Sequence, residues 1–431
     1  MEYSQKLGSR HRAARAAPLL GSPSAAEWVR PAVEYRWPSY KIRVGGFEKK
    51  IELEYASFSA SHFIKTVKES LAGFCFEASQ NDVIADSRSV SGSSEPHGVL
   101  LLRTDVVELG GRHIVTSSGD SYHGHLVIDC RGARPANERT FAQNGYQKFW
   151  GFEIELQSDW PFAEPVVMDD RIDQSDGFRF IYTLPFEPRR VLVEDTRFSN
   201  GPEIDRQDCL EQIRSYLQSI GVENWSIVRE EHGILPMPIS GEQLPGTRID
   251  EVVFPGNARR TATCDAIAAS GKAHESVLAG GYAGGWFHAA TGYSFPLAIA
   301  FAETVAKNTP EGAVEAVQSL ADSHRVRSRF GRFLNRLLFC LVKPTKRYQI
   351  FRRFYKVLSA ESIARFYSHR YTIGDAFRIV VGMPPGGLQP SVFVRSFVPG
   401  PKQMQTTSTK PQQILESPLQ VLQLSREEIS V

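Results

Sequence analysis

Val191-Leu-Val-Glu194-Asp195-Thr-Arg197 is the run on which the reading of the fold turns. Three apolar β-formers deliver two adjacent carboxylates. On a strand, successive side chains point to opposite faces, so Glu194 and Asp195 diverge and are no side-by-side dyad unless the strand has ended. Asp195 and Arg197 share a face and fit an ion pair. Glu194 shares its face with Leu192, which places it among apolar neighbours. Burial raises a carboxyl pKa and keeps it protonated, as a general acid must be. Spacing alone leaves two readings open, a catalytic acid and a structural charge.

Around this run, residues 145–239 read as strand-rich. Phe149–Leu156, Val166–Met168, Phe178–Leu184 and Val191–Glu194 are strands, and Leu210, Ile213 and Leu217 mark a helix over 205–219. Upstream, Tyr40-Lys-Ile-Arg-Val44 alternates with period two, and Phe63, Val67 and Leu71 lie on one face of a helix over 59–72. Short strands follow at 99–102, 106–109, 113–116 and 125–130, with Gly110-Gly111 and Gly119-Asp120 as turns. Downstream, 265–285 is rich in Gly and Ala, 295–306 is a helix, and 326–380 is basic, aromatic and helical. Beyond Pro384 the chain is rich in Pro, Gln and Ser and reads as a flexible tail. The first 25 residues, with Lys6, Arg10, Arg12 and Arg15, read as a loose start or an Arg-rich leader.

At 431 residues the chain fits two or three domains, and 42% apolar against 23% charged residues suffices for a sizeable core. Fifty Lys and Arg against 48 Asp and Glu leave +2, too balanced for a nucleic-acid binder. Five scattered Cys form no C-x-x-C pair, which argues against a zinc ribbon or disulfide framework and for a reducing compartment. No run approaches about 18 apolar residues, so no membrane-spanning helix is expected. No G-x-G-x-x-G or P-loop occurs, and Gly280-Gly281-Tyr-Ala-Gly284-Gly285 fits neither spacing. Gly119-Asp-Ser121-Tyr-His123 lacks the second glycine of a nucleophile elbow. His123 and His125 share a strand face without a third ligand and read as surface histidines, so no metal site is expected. Asp169-Asp-Arg-Ile-Asp173-Gln-Ser-Asp176 lacks the closing Glu of a calcium loop and reads as a solvated turn.

Several ordered blocks together carry a resemblance. Asp129-Cys-Arg-Gly132, Gly145-Tyr-Gln-Lys-Phe149, Glu153-Ile-Glu155, Pro165-Val-Val-Met-Asp169, the acidic run at 191–197 and Glu231-His-Gly-Ile-Leu-Pro236 come first. Gly285-Trp-Phe-His288, Thr291-Gly-Tyr-Ser-Phe-Pro296, Arg353-Phe-Tyr355, Arg365-Phe-Tyr367 and Pro384-Pro385 follow. From about Trp28 to Pro385 the chain resembles the bacterial lycopene β-cyclases, a branch of the FAD-dependent, monooxygenase-like flavoproteins. The family's opening strand, G-x-G-x-x-G loop and helix have no counterpart before Trp28. Ala289 stands where a proline is usual, and Gly386-Gly387 closes the proline motif differently.

The resemblance implies an α/β fold: a Rossmann-like FAD-binding domain missing its first βαβ unit, an antiparallel-sheet substrate domain and a helical C-terminal region. The implied boundaries are an unmatched segment at 1–25, the FAD-binding domain at 26–140 and 263–310, the substrate domain at 141–262, the helical region at 311–395 and a tail at 396–431. The implied activity is redox-neutral, acid-catalysed closure of lycopene ends to β-rings, by way of γ-carotene to β-carotene. Glu194 is the implied acid, with Asp195 as its partner or local support. Asp129, Gly284, Gly285, His288, Thr291, Gly292 and Tyr293 are the implied flavin-facing residues. FAD is implied in its reduced form with NAD(P)H as reductant, and the missing loop implies weakened binding. Lycopene and carotenoid intermediates are the implied partners. The implied location is cytoplasmic, with peripheral contact at the inner membrane face. The rival expectations are a flavin oxidoreductase acting on another isoprenoid and an inactive remnant.

Overall fold

The structure, a computed structural model, describes residues 13–14, 27–71, 75–77, 99–101, 104–130, 144–240, 277–282, 284–381 and 386–395. The expectations for most of the first 25 residues, for Arg131-Gly132, for the stretch 241–276 and for the tail lie outside the described residues. The fold is mixed α/β with a helical C-terminal region. Its centre is a seven-stranded sheet: β1 (Tyr40–Val44), β2 (Phe47–Ile51), β3 (Asn144–Leu156), β4 (Val166–Asp169), β5 (Phe178–Glu187), β6 (Arg190–Ser199) and β7 (Trp225–Pro238). The spatial order is β7-β3-β6-β5-β4-β1-β2. Only β4 and β1 run parallel; the other neighbours are antiparallel. The sheet therefore draws strands from both 26–140 and 141–262.

The β6 strand lies two places in from the β7 edge, and helices cover both its faces. On one face, α2 (Arg206–Ser219) packs Leu210, Ile213, Tyr216 and Leu217 against Val191, Val193, Phe152, Ile154 and Ile181. Asp205 caps this helix by accepting from Asp208 N at 2.7 Å. On the other face, Leu192, Phe198, Phe180, Tyr182 and Leu184 pack against the C-terminal helices. A strand covered on both sides has no solvent-facing side, which explains why Val191-Leu-Val reads as a continuous apolar run rather than an alternation.

The helical region comprises α4 (Pro310–Arg336), α5 (Tyr348–Val357), α6 (Ala360–Tyr367), α7 (Ile373–Val380) and α8 (Pro390–Arg395); α1 (Ala60–Ser70) and α3 (Phe295–Ala306) precede it. The α4 helix runs into a single π-turn, Leu337–Leu341. Arg347 fastens this cap to the sheet. Its Nε donates to Leu338 O at 2.9 Å and its Nη1 to Phe198 O at 2.9 Å. From the opposite edge, Lys49 Nζ donates to Tyr355 O and Leu358 O at the end of α5, both at 2.9 Å, where a cation suits the helix C-terminus. Asn335 Nδ2 donates to Pro238 O at 2.9 Å and Ala289 O at 2.8 Å, joining α4 to β7 and to the turn before α3.

Parallel pairing also joins Cys75–Glu77 to Val99–Leu101 and Ile128–Asp129 to Leu278–Ala279. The structure departs from several local expectations. The 125–130 strand is instead Ser121–His123 followed, after a break, by Ile128–Asp129, so His123 and His125 do not share a strand. The β6 strand continues to Ser199 rather than ending near Glu194. The β7 strand escapes a hydrophobic-period reading because it is an edge strand carrying Glu230, Glu231, Pro236 and Pro238, and edges tolerate such residues. Asp169 is not solvated but fully buried. It accepts from Arg43 Nη1 at 3.2 Å, Arg171 Nε at 2.8 Å and Tyr216 Oη at 3.1 Å. Burial opposes its ionisation, yet Arg171 and Arg43 outweigh burial and hold its pKa below the usual carboxylate value.

Gly177 opens β5 with φ +101°, and a Cβ there would lie 2.2 Å from Phe198 O. Gly177→Ala is expected to destabilise the protein by about 2–4 kcal/mol. Urea or thermal unfolding reads this directly, and an unchanged midpoint contradicts the tight β5–β6 approach.

Candidate functional site

A cavity of about 650 Å³ lies between the sheet and the helical cap. Gln147, Phe180, Tyr182, Glu194, Thr196 and Phe198 line its floor, and Phe351, Phe354, Tyr355, Phe366 and Tyr367 line its roof. Ala290, Thr291 and Tyr293, from the turn before α3, close one side. Because β5 and β6 are in register, every second residue of each faces this space: Tyr182 stands opposite Glu194, and Phe180 opposite Thr196. Among the lining residues Glu194 is the single carboxylic acid. It is fully buried. Thr196 Oγ1 donates to its Oε1. On the β3 side its cross-strand neighbour is Gly151, where a Cβ would come within 3.3 Å of Glu194 Cβ and Cγ. Tyr182 Oη and Tyr55 Oη are 3.0 Å apart beside it, and Tyr355 Oη and Tyr367 Oη are 2.8 Å apart in the roof. Burial raises the pKa of Tyr40, Tyr355 and Tyr367, so these phenols stay neutral.

Asp195 points the other way. Both its oxygens accept from Arg179 Nε at 3.0 Å, and Oδ2 also accepts from Arg197 Nη2 at 3.1 Å. Asp208, from α2, completes the cluster at 3.0 Å from Arg179 Nη2. Burial opposes Asp208's charge, but the two guanidiniums hold its pKa below the usual value. Asp195 is thus the buried anion between two arginines, and it lies outside the cavity lining.

The implied flavin-facing residues fall into two groups joined by one turn. Asp129 and Gly284 lie at the end of the parallel pair Ile128–Asp129 and Leu278–Ala279, where Gly280 N donates to Asp129 O at 2.9 Å. A Cβ on Gly284 would lie 2.3 Å from Ala279 O, so only glycine fits that turn. Gly285 and Gly292 have φ +78° and +67°. His288 N donates to Tyr293 O at 2.8 Å and Gly292 N to His288 O at 2.8 Å, a closed loop that presents Thr291 and Tyr293 to the cavity.

Sequence reasoning missed a buried histidine cluster behind this turn. The Gly285 carbonyl can only accept, so His324 Nε2, 3.2 Å away, is its donor. His324 Nδ1 is then the acceptor for His369 Nε2 at 2.9 Å. The His288 ring stands edge-on to His369 at 4.7 Å, with its Nδ1 accepting from Ala290 N at 3.1 Å. Burial first, then neighbouring His324, lowers the His288 pKa to about 3; burial lowers His324 to about 4 and His369 well below its usual value. His324 and His369 gave no sequence signal, since they lie 45 residues apart, His324 on α4 and His369 in the turn after α6. The aromatic lining did leave one: Phe180 and Tyr182 alternate along β5.

The sequence profile of the family described as lycopene cyclase protein matches residues 22–392. The lycopene beta-cyclase of Pseudescherichia vulneris is 28% identical over 367 residues, covering 84% of this chain and 81% of that protein. The lycopene beta-cyclase of a Paracoccus species is 29% identical over 370 residues, covering the same shares, 84% and 81%. Among solved structures, a geranylgeranyl bacteriochlorophyll reductase-like protein of Thermoplasma acidophilum aligns over 81% of this chain and 80% of that one at 11% identity and TM-score 0.44, a loose likeness.

Two outcomes follow from the site's electrostatics. Asp195→Ala leaves Arg179 and Arg197 buried without their anion and is expected to cost about 3–5 kcal/mol of stability; a loss below about 1 kcal/mol in urea unfolding contradicts the buried cluster. The three histidines take up protons more readily unfolded than folded. Their stabilising contribution is therefore whole above about pH 6.5 and is lost as pH falls toward 4, by up to about 1.4 kcal/mol per pH unit for each histidine. His324→Gln is expected to flatten the fall in unfolding free energy between pH 7 and pH 5.

Proposed function

Given that the chain belongs to the lycopene cyclase family, we propose that it closes β-rings on the ends of lycopene, with Glu194 as the acid and base. The observation that carries this reading is the position of Glu194: the one carboxyl group, fully buried, in a cavity lined mainly by aromatic and aliphatic side chains. An alkene is a very weak base, so its protonation needs an acid that is neutral at rest and shielded from water. Glu194 gives its proton to the terminal double bond and leaves a tertiary cation. The neighbouring double bond attacks that cation, forming the ring bond and moving the positive charge to the ring carbon. The Glu194 carboxylate then recovers a proton from the adjacent ring carbon. The product is an isomer of the substrate, and the acid is restored.

The lining supports each stage. Thr196 holds one oxygen of Glu194, and Gly151 leaves no side chain on the β3 side of it. The faces of Phe180, Phe198 and Phe351 offer negative quadrupole to a developing cation. Few groups in the cavity compete as bases, because the tyrosines are neutral phenols. Asp195 acts through the backbone: locked to Arg179 and Arg197, it pins the strand that carries Glu194.

The residues present fit an FAD at the turn 284–293. Glycine is required at Gly284 by the Ala279 carbonyl, Gly285 and Gly292 adopt positive φ, and the turn follows a parallel strand and precedes the α3 N-terminus, as a close backbone approach to a ligand demands. Asp129, Gly284, Gly285, His288, Thr291, Gly292 and Tyr293 are the residues that would hold it. Bound there in its reduced form, with NAD(P)H as reductant, FAD would supply negative charge that stabilises a developing cation. The substrate and its intermediates would be hydrocarbon polyenes, which supports a peripheral position of the protein at a membrane, on its cytoplasmic face.

Glu194→Gln in a lycopene-accumulating host is expected to lower ring formation at least a thousandfold, with an unfolding midpoint near wild type. Chromatography of the extracted pigment reads the outcome. Cyclised product at wild-type level removes Glu194 from the mechanism. Flavin absorbance is expected in the purified protein, and its absence favours the inactive remnant.

A further inference from the structure

Helix α7 turns the wrong side outward. Its one acid, Asp375, is fully buried, held by Arg365 through two bonds of 2.8 Å and by a capping box with Thr372. Its apolar residues face solvent: Ile373 is 91% exposed and Phe377 63%, and Val380 and Val381 continue the same stripe. The spacing of four, then three to four, puts these on one face. A helix anchored by its charge with its apolar stripe outward gains nothing from that stripe in water, and such a patch marks a surface that is covered when the protein works.

The neighbours of the stripe indicate what covers it. Arg353 Nη2 donates to Arg378 O at 3.3 Å, tying α5 to the end of α7. Together the two helices carry Arg352, Arg353, Lys356 and Arg378 against one acid, the buried Asp375. Val357, at the end of α5, is also exposed. Apolar residues beside a basic rim are complementary to acyl chains beneath anionic headgroups. The patch is also continuous with the catalytic cavity, whose lining includes Lys356 and Val357 from α5 and Ile379 and Val380 from α7. A hydrocarbon polyene has negligible solubility in water, so a cavity that opens onto lipid meets its substrate where the substrate is.

We propose that α7, with the basic edge of α5 beside it, is the surface on which the protein docks to an anionic phospholipid bilayer, setting the cavity mouth against the lipid. Ile373 and Phe377 enter the acyl boundary, and Arg378 contacts headgroups. The inference rests on the polyene reading of the cavity. Its deciding test, flotation, needs no polyene.

The full chain is floated with vesicles of phosphatidylcholine alone or mixed with phosphatidylglycerol. Wild type is expected to float with the mixed vesicles and far less with phosphatidylcholine or at high salt. Ile373→Ser with Phe377→Ser is expected to weaken binding about a hundredfold, roughly tenfold for each side chain, and Arg378→Glu to weaken it only for the anionic vesicles. Neither residue lines the cavity, so turnover of detergent-dispersed lycopene is expected to stay at wild type while turnover of vesicle-embedded lycopene falls. Unchanged flotation of the double variant overturns the proposal, as does a wild type that does not bind the mixed vesicles. A dimer split by the same substitutions with flotation unaltered overturns it in favour of a second copy. Failure here leaves the Glu194 assignment standing, and a cyclisation-competent Glu194→Gln leaves the flotation result standing.

Discussion

The pleat of β6 turns two consecutive carboxyl groups into opposite faces of one sheet, and the site depends on that separation. Were Glu194 and Asp195 on one face, the arginines that neutralise Asp195 would also hold Glu194 ionised, and the cavity would lose its candidate proton donor. Instead Arg179 and Arg197 stay on the α2 side, where Asp195 and Asp208 satisfy them. The carboxyl on the other side meets aromatic rings and a threonine. One strand therefore holds a charged anchor and a candidate acid a residue apart, insulated from each other by the sheet.

The helical cap completes this arrangement. Without α4 to α7 the floor of the cavity would be an open sheet face, and Glu194 would be hydrated. Arg347 stakes much on that closure. Burial pulls its pKa down to about 10, yet its donors are spent on carbonyls of both the sheet and the π-turn. Charge-assisted bonds of this kind fix the cap's position more sharply than apolar packing alone. The same cap meets the turn before α3 through Asn335 and the histidine cluster, so three parts of the chain converge on one cavity: the sheet, the glycine-rich turn and the C-terminal helices.

Buried neutral histidines suit such a junction. Each ring offers one donor and one acceptor, so a chain of them links carbonyls to amides without introducing charge. The cost is sensitivity to acid, because protonation would place like charges within one cluster. The junction is therefore strong at neutral pH and weakens in the range where an exposed histidine would be indifferent.

Much of the local structure was legible in the chain itself. Period-two alternation marked Tyr40–Val44, the apolar run at Val191 marked β6, and a helix over 295–306 followed from composition and spacing, because these signals are local and both faces of each element obey one rule. The divergence of Glu194 from Asp195 followed from the strand period alone. Other features needed three dimensions. The edge strand β7 carries prolines and charges that no hydrophobic period reveals. Asp169 looked like part of a solvated turn, and only the approach of Arg43 and Tyr216 from other elements buries it. Nothing in the spacing of His288, His324 or His369 shows that three imidazoles meet behind one glycine turn. Nor does spacing show that Glu194, rather than its neighbour, faces the cavity: that depends on which side of the sheet receives the C-terminal helices, a choice made by long-range packing and not by any segment's own residues.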